Sequence, residues 1–296
     1  MATYTRNNSW GHYFPLIAQQ TWWVLRFVSV LFVCLFISTT TMAAQPGFVS
    51  WGDGRTHQHQ ISHKTSSAHE YVFTSGSHTN TMIELYTSEG CSSCPPAEEY
   101  LNSLSTHPDL WKSVFPMAFH VDYWNHLGWR DRFSRAAHSE RQRTYARQRN
   151  TLFVYTPQLL VNGKSWRPGR FKQALPQQDS SDAGSLEIII SGDTVRARYS
   201  ASDSQTDKHK PRKLHIAIIG MGLVSAIKAG ENTGRAARHE FVVLAHSEHS
   251  SNTNHWNISL PSINSYGESQ RAVVAWVSID NNPAPIQVTG GRIGNK

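Results

Sequence analysis

Cysteine is scarce in this chain. Three occur in 296 residues, and only Cys91 and Cys94 lie beyond the N-terminal apolar stretch that holds Cys34. A chain of this size with one remaining pair does not use disulfides as a scaffold, which excludes the cysteine-framework class of small secreted domains. A zinc site of the usual spacing needs a second Cys/His pair, and no cysteine follows Cys94. Apolar runs are short as well. Phe27–Ile37 is too brief for a comfortable membrane span. Charge is low, at 17% against 39% hydrophobic residues, so the chain can build a core and is not disordered in bulk. Acid is absent from residues 1–44, which hold Arg6 and Arg26 and leave +5 of the formal +7 to the remainder. That modest excess implies no nucleic-acid partner.

Arg26, the apolar run and the following Thr-Thr-Thr-Met-Ala-Ala fit a signal peptide, with Thr41-x-Ala43 as a small-residue cleavage site. Residues 1–44 are therefore expected to be removed, giving an exported protein, periplasmic or secreted, with no stable membrane insertion. An uncleaved N-terminal anchor is the alternative. Residues 45–79 read as a flexible linker. His57, His59, His63, His69 and His78 offer weak metal capture there, against a solvated linker.

The chemistry is concentrated in Thr81–Pro96. A short β-prone run ends in Thr-Ser-Glu-Gly, Cys91 and Cys94 follow two residues apart, and Pro95-Pro96 then suits the first turn of a helix. Ala97, Tyr100, Leu101 and Leu104 recur at helical spacing, with Glu98 and Glu99 in the first turn. A thiol at a helix N-terminus faces unbonded N–H groups, which lower its pKa from about 8.5 toward roughly 3.5–7.5. Cys91 is the expected nucleophile and Cys94 the resolving thiol. A structural disulfide, or half of a metal site, is the competing reading.

Val114–Asp122 reads as a second buried strand, parallel to the first through the helix, with Pro116 near its start. His120 and Asp122 then border the thiols or form an ordinary strand-end pair. Aromatic residues, Trp124 among them, crowd the strand's C-terminal end, the usual face for sites in such sheets. Residues 130–149 carry seven arginines and read as a helix with a solvated face, or one meeting an anionic partner. Thr156-Pro157 opens a strand, Asn162-Gly163 marks a type I′ hairpin turn, and Phe171, Ala174 and Leu175 suggest a closing helix. After a polar run at 177–184 come seven short β-type segments, at 186–190, 195–199, 214–219, 241–244, 256–260, 271–277 and 286–289. They suggest a β-sandwich. The Gly-rich 230–235 segment reads as a hairpin tip rather than a phosphate loop.

The order strand, Cys-x-x-Cys, helix, strand, helix, Thr-Pro strand, Asn-Gly, strand resembles the thioredoxin fold. Residues 83–97, 119–124, 127–129, 140–142, 155–159 and 230–235 together resemble an uncharacterised family of exported thioredoxin-like proteins, domain of unknown function 1223. The resemblance implies an α/β thioredoxin-like domain with a CxxC motif over 80–182, followed by an all-β sandwich-like domain over 183–296. It implies that Cys91 attacks and Cys94 resolves, that Glu84 acts as a buried base for the second thiol, and that a cis Pro157 docks substrate. The backbone of Thr156 and the strand-end Trp124 are expected to join it in receiving substrate. Gly90, where thioredoxins carry tryptophan, and the Ser92-Ser93 pair depart from that pattern. The function expected is exported thiol–disulfide oxidoreduction on protein or peptide thiols and disulfides, without a cofactor. The alternatives are a non-catalytic binding module with a structural disulfide and a Cu(I) carrier using Cys91, Cys94 and His120. The oligomeric state is left open.

Overall fold

The computed structural model describes residues 69–294, apart from 152, 172, 178, 179, 204 and 206–209. The expected signal peptide, and the linker up to residue 68, lie outside the described residues. The ordered elements run β1 (Glu70–Thr74), β2 (Thr81–Thr87), α1 (Pro95–Ser103), β3 (Val114–His120), α2 (Ala136–Gln148), β4 (Gln158–Val161) and β5 (Lys164–Trp166). They continue as β6 (Ser185–Ser191), β7 (Thr194–Ser200), β8 (Arg212–Met221), β9 (Leu223–Ala226), β10 (Ala236–His239), β11 (Val242–Ser251), β12 (His255–Ser259), β13 (Gln270–Ile279) and β14 (Pro285–Ile293).

This order overturns the expected fold class. The described residues are mostly strand, with only two α-helices, and they do not form an α/β thioredoxin domain followed by a separate β-sandwich. A single eight-stranded sheet, in the order β14-β13-β8-β11-β3-β2-β4-β5, takes strands from both sides of the expected 182/183 boundary. The junction is a short parallel pairing of β11 with β3 at Val242 and Ala118, and Ala118 N donates to Phe241 O at 2.8 Å. A second sheet, β1-β6-β7-β12, covers one face of the C-terminal strands.

The burial patterns explain the arrangement. β6 and β7 alternate buried and less buried positions, as strands of a one-sided sheet do. β8 and β13 are buried almost throughout, because both of their faces are covered. Leu214, Ile216 and Ile218 of β8 join Leu186, Ile188 and Tyr199 beneath the second sheet. Ala217, Ile219 and Met221 pack instead with Met82, Leu85 and Phe115. Two-sided burial is what lets the C-terminal strands extend the first sheet rather than close a sandwich by themselves.

Local expectations also change. Glu70–Thr74, within the expected linker, is β1 and pairs antiparallel with β6. Among the described residues the closing helix is absent: a single 3₁₀ turn spans Gly169–Phe171, and Phe171 has φ 55°, outside helical space. The Asn162-Gly163 turn has φ of 46° and 74°, the left-handed pair a type I′ turn requires, and it joins β4 to β5. The arginines of 130–149 are not one solvated face. Arg141 is buried on Glu84, Arg132 donates to the carbonyls of Val224 and Tyr266, and Arg135 donates to Leu244 O. No described helix is long and apolar enough to cross a membrane.

Candidate functional site

Cys91 and Cys94 sit between β2 and α1, joined by a disulfide with Cα atoms 5.4 Å apart. Cys94, not Cys91, is the N-cap of α1; its carbonyl accepts from Ala97 N and Glu98 N. Cys91 is 1% exposed and Cys94 fully buried, while Ser92 and Ser93 between them are exposed. Ser93 Oγ lies 3.4 Å from Cys91 Sγ.

The hairpin tip between β9 and β10 reaches over this loop. Asn232 Nδ2 donates to Glu89 O at 2.8 Å and to Cys91 O at 3.0 Å. On the other side, Trp124 covers Gly90: a Cβ added there would lie 3.4 Å from Trp124 Cβ. Trp124 Nε1 donates to Thr156 Oγ1 at 2.8 Å, and the Thr156–Pro157 bond is cis. Trp124, Thr156 and Pro157 are half-buried.

Glu84 lies elsewhere. Successive strand residues face opposite sides of a sheet. Thr87 donates to Glu98 Oε1 of α1 at 2.5 Å, so Glu84 and Tyr86 face the other side. There Glu84 accepts from Arg141 Nε at 2.8 Å, Tyr145 Oη at 2.6 Å and Tyr86 Oη at 3.0 Å. Burial and the neighbouring Glu84 charge push both tyrosines well above their ordinary pKa. The carboxylate's lone pairs are committed to this buried cluster, and it does not stand beside Cys94 as the resolving base.

A different acid–histidine cluster borders the disulfide loop, and sequence reasoning missed most of it. Glu89 follows β2, Glu98 lies in the first turn of α1, His120 ends β3 and His239 ends β10. His239 Nε2 is 3.2 Å from Glu89 Oε1, and its Nδ1 is 3.4 Å from Glu98 Oε2. Burial alone would lower the His239 pKa, but hydrogen bonds and charge from Glu89 and Glu98 raise it to about 10. Burial would likewise raise Glu98, yet His239 holds it below its ordinary value. His120 Nδ1 is 2.6 Å from Asp131 Oδ2, which also accepts from Glu89 N at 2.9 Å. Trp129 Nε1 donates to Glu89 Oε2 at 2.7 Å. Asp122, the other expected border residue, bonds Ser139 instead. The signal available in the sequence was the Glu-Gly-Cys turn, the polar end of β3 and the 230–235 segment of the family resemblance, which holds Asn232 but was read only as a hairpin tip; His239 had none.

The family model described as "Protein of unknown function (DUF1223)" matches residues 82–278. The chain belongs to this family. A structural-genomics crystal structure of an Agrobacterium tumefaciens protein is similar at 22% identity and TM-score 0.52, over 75% of this chain and 97% of that one. That similarity extends to the fold. HBP35 of Porphyromonas gingivalis is similar at 14% identity and TM-score 0.46, over 74% of this chain and 76% of that one. No curated protein matches the chain.

Among the described residues of this DUF1223 chain, two groupings bring metal-ligating atoms within 4.8 Å of one another, Glu98–His120–His239 and His215–His246–Glu248. Neither includes a cysteine, so His120 stands with carboxylates and a second histidine rather than completing a thiolate copper set. A cavity of about 380 Å³ opens beside the disulfide loop, lined by Ser88, Glu89, Pro95, Glu98, Asn102 and Asn232 among others.

Proposed function

We propose that this protein is an exported thiol–disulfide oxidoreductase acting on protein or peptide substrates. The observation that carries the reading is the Cys91–Cys94 disulfide at the start of α1, in a chain whose only other cysteine is Cys34. In the reduced protein the Cys91 thiolate attacks a substrate disulfide, one substrate thiolate leaves, and a mixed disulfide forms. Cys94 then attacks Cys91, the second substrate thiol leaves, and the protein pair is oxidised by two electrons. The exposed Ser92-Ser93 turn is the route by which Cys91 meets its partner. Trp124, Thr156 and Pro157 form the neighbouring half-buried ledge for an extended peptide.

The test is trapping. Cys94→Ala protein recovered from its own cell envelope should carry covalent partners through Cys91, released by reductant. In parallel, Cys91 of the reduced wild type should alkylate well below pH 8.5 while Cys94 reacts slowly. No trapped partner, together with two thiols titrating near the ordinary value, defeats the proposal.

One observation favours a second reading. Both sulfurs are buried, and Asn232 ties the loop carrying them to the β9–β10 hairpin. Such a disulfide would serve a binding module as a staple. In that case the reduced protein unfolds more readily, and the pair resists dithiothreitol until the protein opens.

A further inference from the structure

The Glu98–His120–His239 cluster has the connectivity of a metal centre. Each imidazole has one nitrogen near a carboxylate of the outer ring. His120 Nδ1 is hydrogen-bonded to Asp131 at 2.6 Å, and His239 Nε2 lies 3.2 Å from Glu89 Oε1, close enough for charge attraction but not aligned as a hydrogen bond. The remaining nitrogens are His239 Nδ1, 3.4 Å from Glu98 Oε2, and His120 Nε2. His120 is 0% exposed, and its Nε2 has no hydrogen-bond partner. A buried nitrogen left without a partner is costly and calls for an occupant. Carboxylates on the far nitrogens of ligating histidines fix their tautomers and raise their basicity, and they recur around metal sites.

Charge points the same way. Glu89, Glu98 and Asp131 bring three buried or nearly buried carboxylates around two imidazoles. Were His239 only a cation between Glu89 and Glu98, His120 Nε2 would have no role. Two nitrogens and a carboxylate oxygen suit a borderline divalent ion. They suit Ca²⁺ or Mg²⁺ poorly, because those ions prefer oxygen alone, and they lack the thiolates that favour Cu(I).

We propose that Glu98, His120 and His239 bind one zinc ion, with Asp131 and Glu89 as the supporting carboxylates. Three protein ligands leave one position of a tetrahedral ion for water or an incoming ligand. The cavity lined by Glu89 and Glu98 supplies the entry path. The site uses neither sulfur of the disulfide, so it stands independently of thiol chemistry.

The experiment takes the full chain with its disulfide intact, strips it with chelator and titrates it with Zn²⁺ by calorimetry. Co²⁺ serves as the spectroscopic stand-in. One Zn²⁺ per chain is expected, with strong visible absorption from four-coordinate Co²⁺. Glu98→Gln and His239→Asn should weaken Zn²⁺ binding more than tenfold. Asp131→Asn should weaken it by about 10–100-fold, as loss of an outer partner does. Cys91→Ser/Cys94→Ser, and Glu248→Gln in the other histidine cluster, should leave the affinity within about twofold. Substoichiometric Zn²⁺, binding that survives the three site substitutions, or binding lost with the cysteines overturns the proposal. Should the site variants fail to fold, the wild-type melting temperature decides. A rise that saturates at one equivalent of Zn²⁺ supports the site, and no rise overturns it.

Discussion

Two clusters in this protein use the same residue types and reach opposite charge states. Beside the disulfide, His239 lies between Glu89 and Glu98, and their hydrogen bonds and charge overcome burial, lifting its pKa to about 10. Across the sheet's C-terminal half, His215 and His246 stack on Trp276 with ring centroids 4.7 and 5.1 Å away. Burial dominates there. It pushes His215 down to about 4 and His246 well below its ordinary value, and the Arg141 charge adds to both. Glu248, 3.4 Å from His215 Nδ1, is partly exposed and does not reverse the effect. With His215 neutral, that contact is not an ion pair, and the ring's hydrogen-bond contacts are to His246 Nε2 at 3.2 Å and Ser278 Oγ at 2.8 Å. The number and depth of facing carboxylates, not the presence of histidine pairs, sets the charge.

The sharpest way to break the comparison is to remove the cation from the first cluster. In chelator at pH 7, His239→Ala strands Glu89 and Glu98 in the interior without a counter-ion. A loss of about 3–5 kcal/mol in urea unfolding is expected. A loss below about 1 kcal/mol would show that the carboxylates find water through the adjoining cavity.

Acid acts on the second cluster. The folded pKa of His215 lies below the unfolded value of about 6.5, so the unfolded chain binds more protons between that value and about 4. Stability should therefore be full above pH 6.5 and fall as pH drops through this window. His215 accounts for roughly 3 kcal/mol, and His246 acts in the same direction. Urea melts at pH 7.5 and 4.5 measure the loss. His215→Gln should flatten the slope between those two pH values, and an unchanged slope would assign it to other groups.

Beside the first cluster, Asn232 latches the disulfide loop. Asn232→Ala leaves two buried carbonyls, Glu89 O and Cys91 O, without this donor. It should cost about 1–3 kcal/mol, and it should speed reduction of the disulfide by dithiothreitol. Equal reduction rates would separate loop anchoring from thiol access. The smallest effect expected is Trp124→Phe, which removes one hydrogen bond to Thr156 and keeps most of the ring. A cost of about 0.5–1.5 kcal/mol by thermal melting is expected.

Much of this molecule can be read from residue order alone. The β2–Cys91–Cys94–α1 unit follows from a β-prone run, a turn and two prolines at the helix start. The Asn162-Gly163 turn follows from the need for positive φ, and each of the seven β-type segments after residue 184 coincides with a strand. Those features depend on neighbours a few residues apart, and their periods are written in the chain. The choice of sheet is not. The near-continuous apolar run of β8 states that both faces are covered without naming what covers them, so β11 joining β3 through Val242 and Ala118 was decided only on assembly. The same limit governs the site. Strand parity turns Glu84 toward Arg141 and away from α1. Asn232 reaches Cys91 across 141 residues, and His239 meets Glu98 at the end of a strand whose sequence carries no sign of it. Contacts this distant in sequence arise from topology, where a packed core fixes which strand ends converge, and no local pattern carries that information.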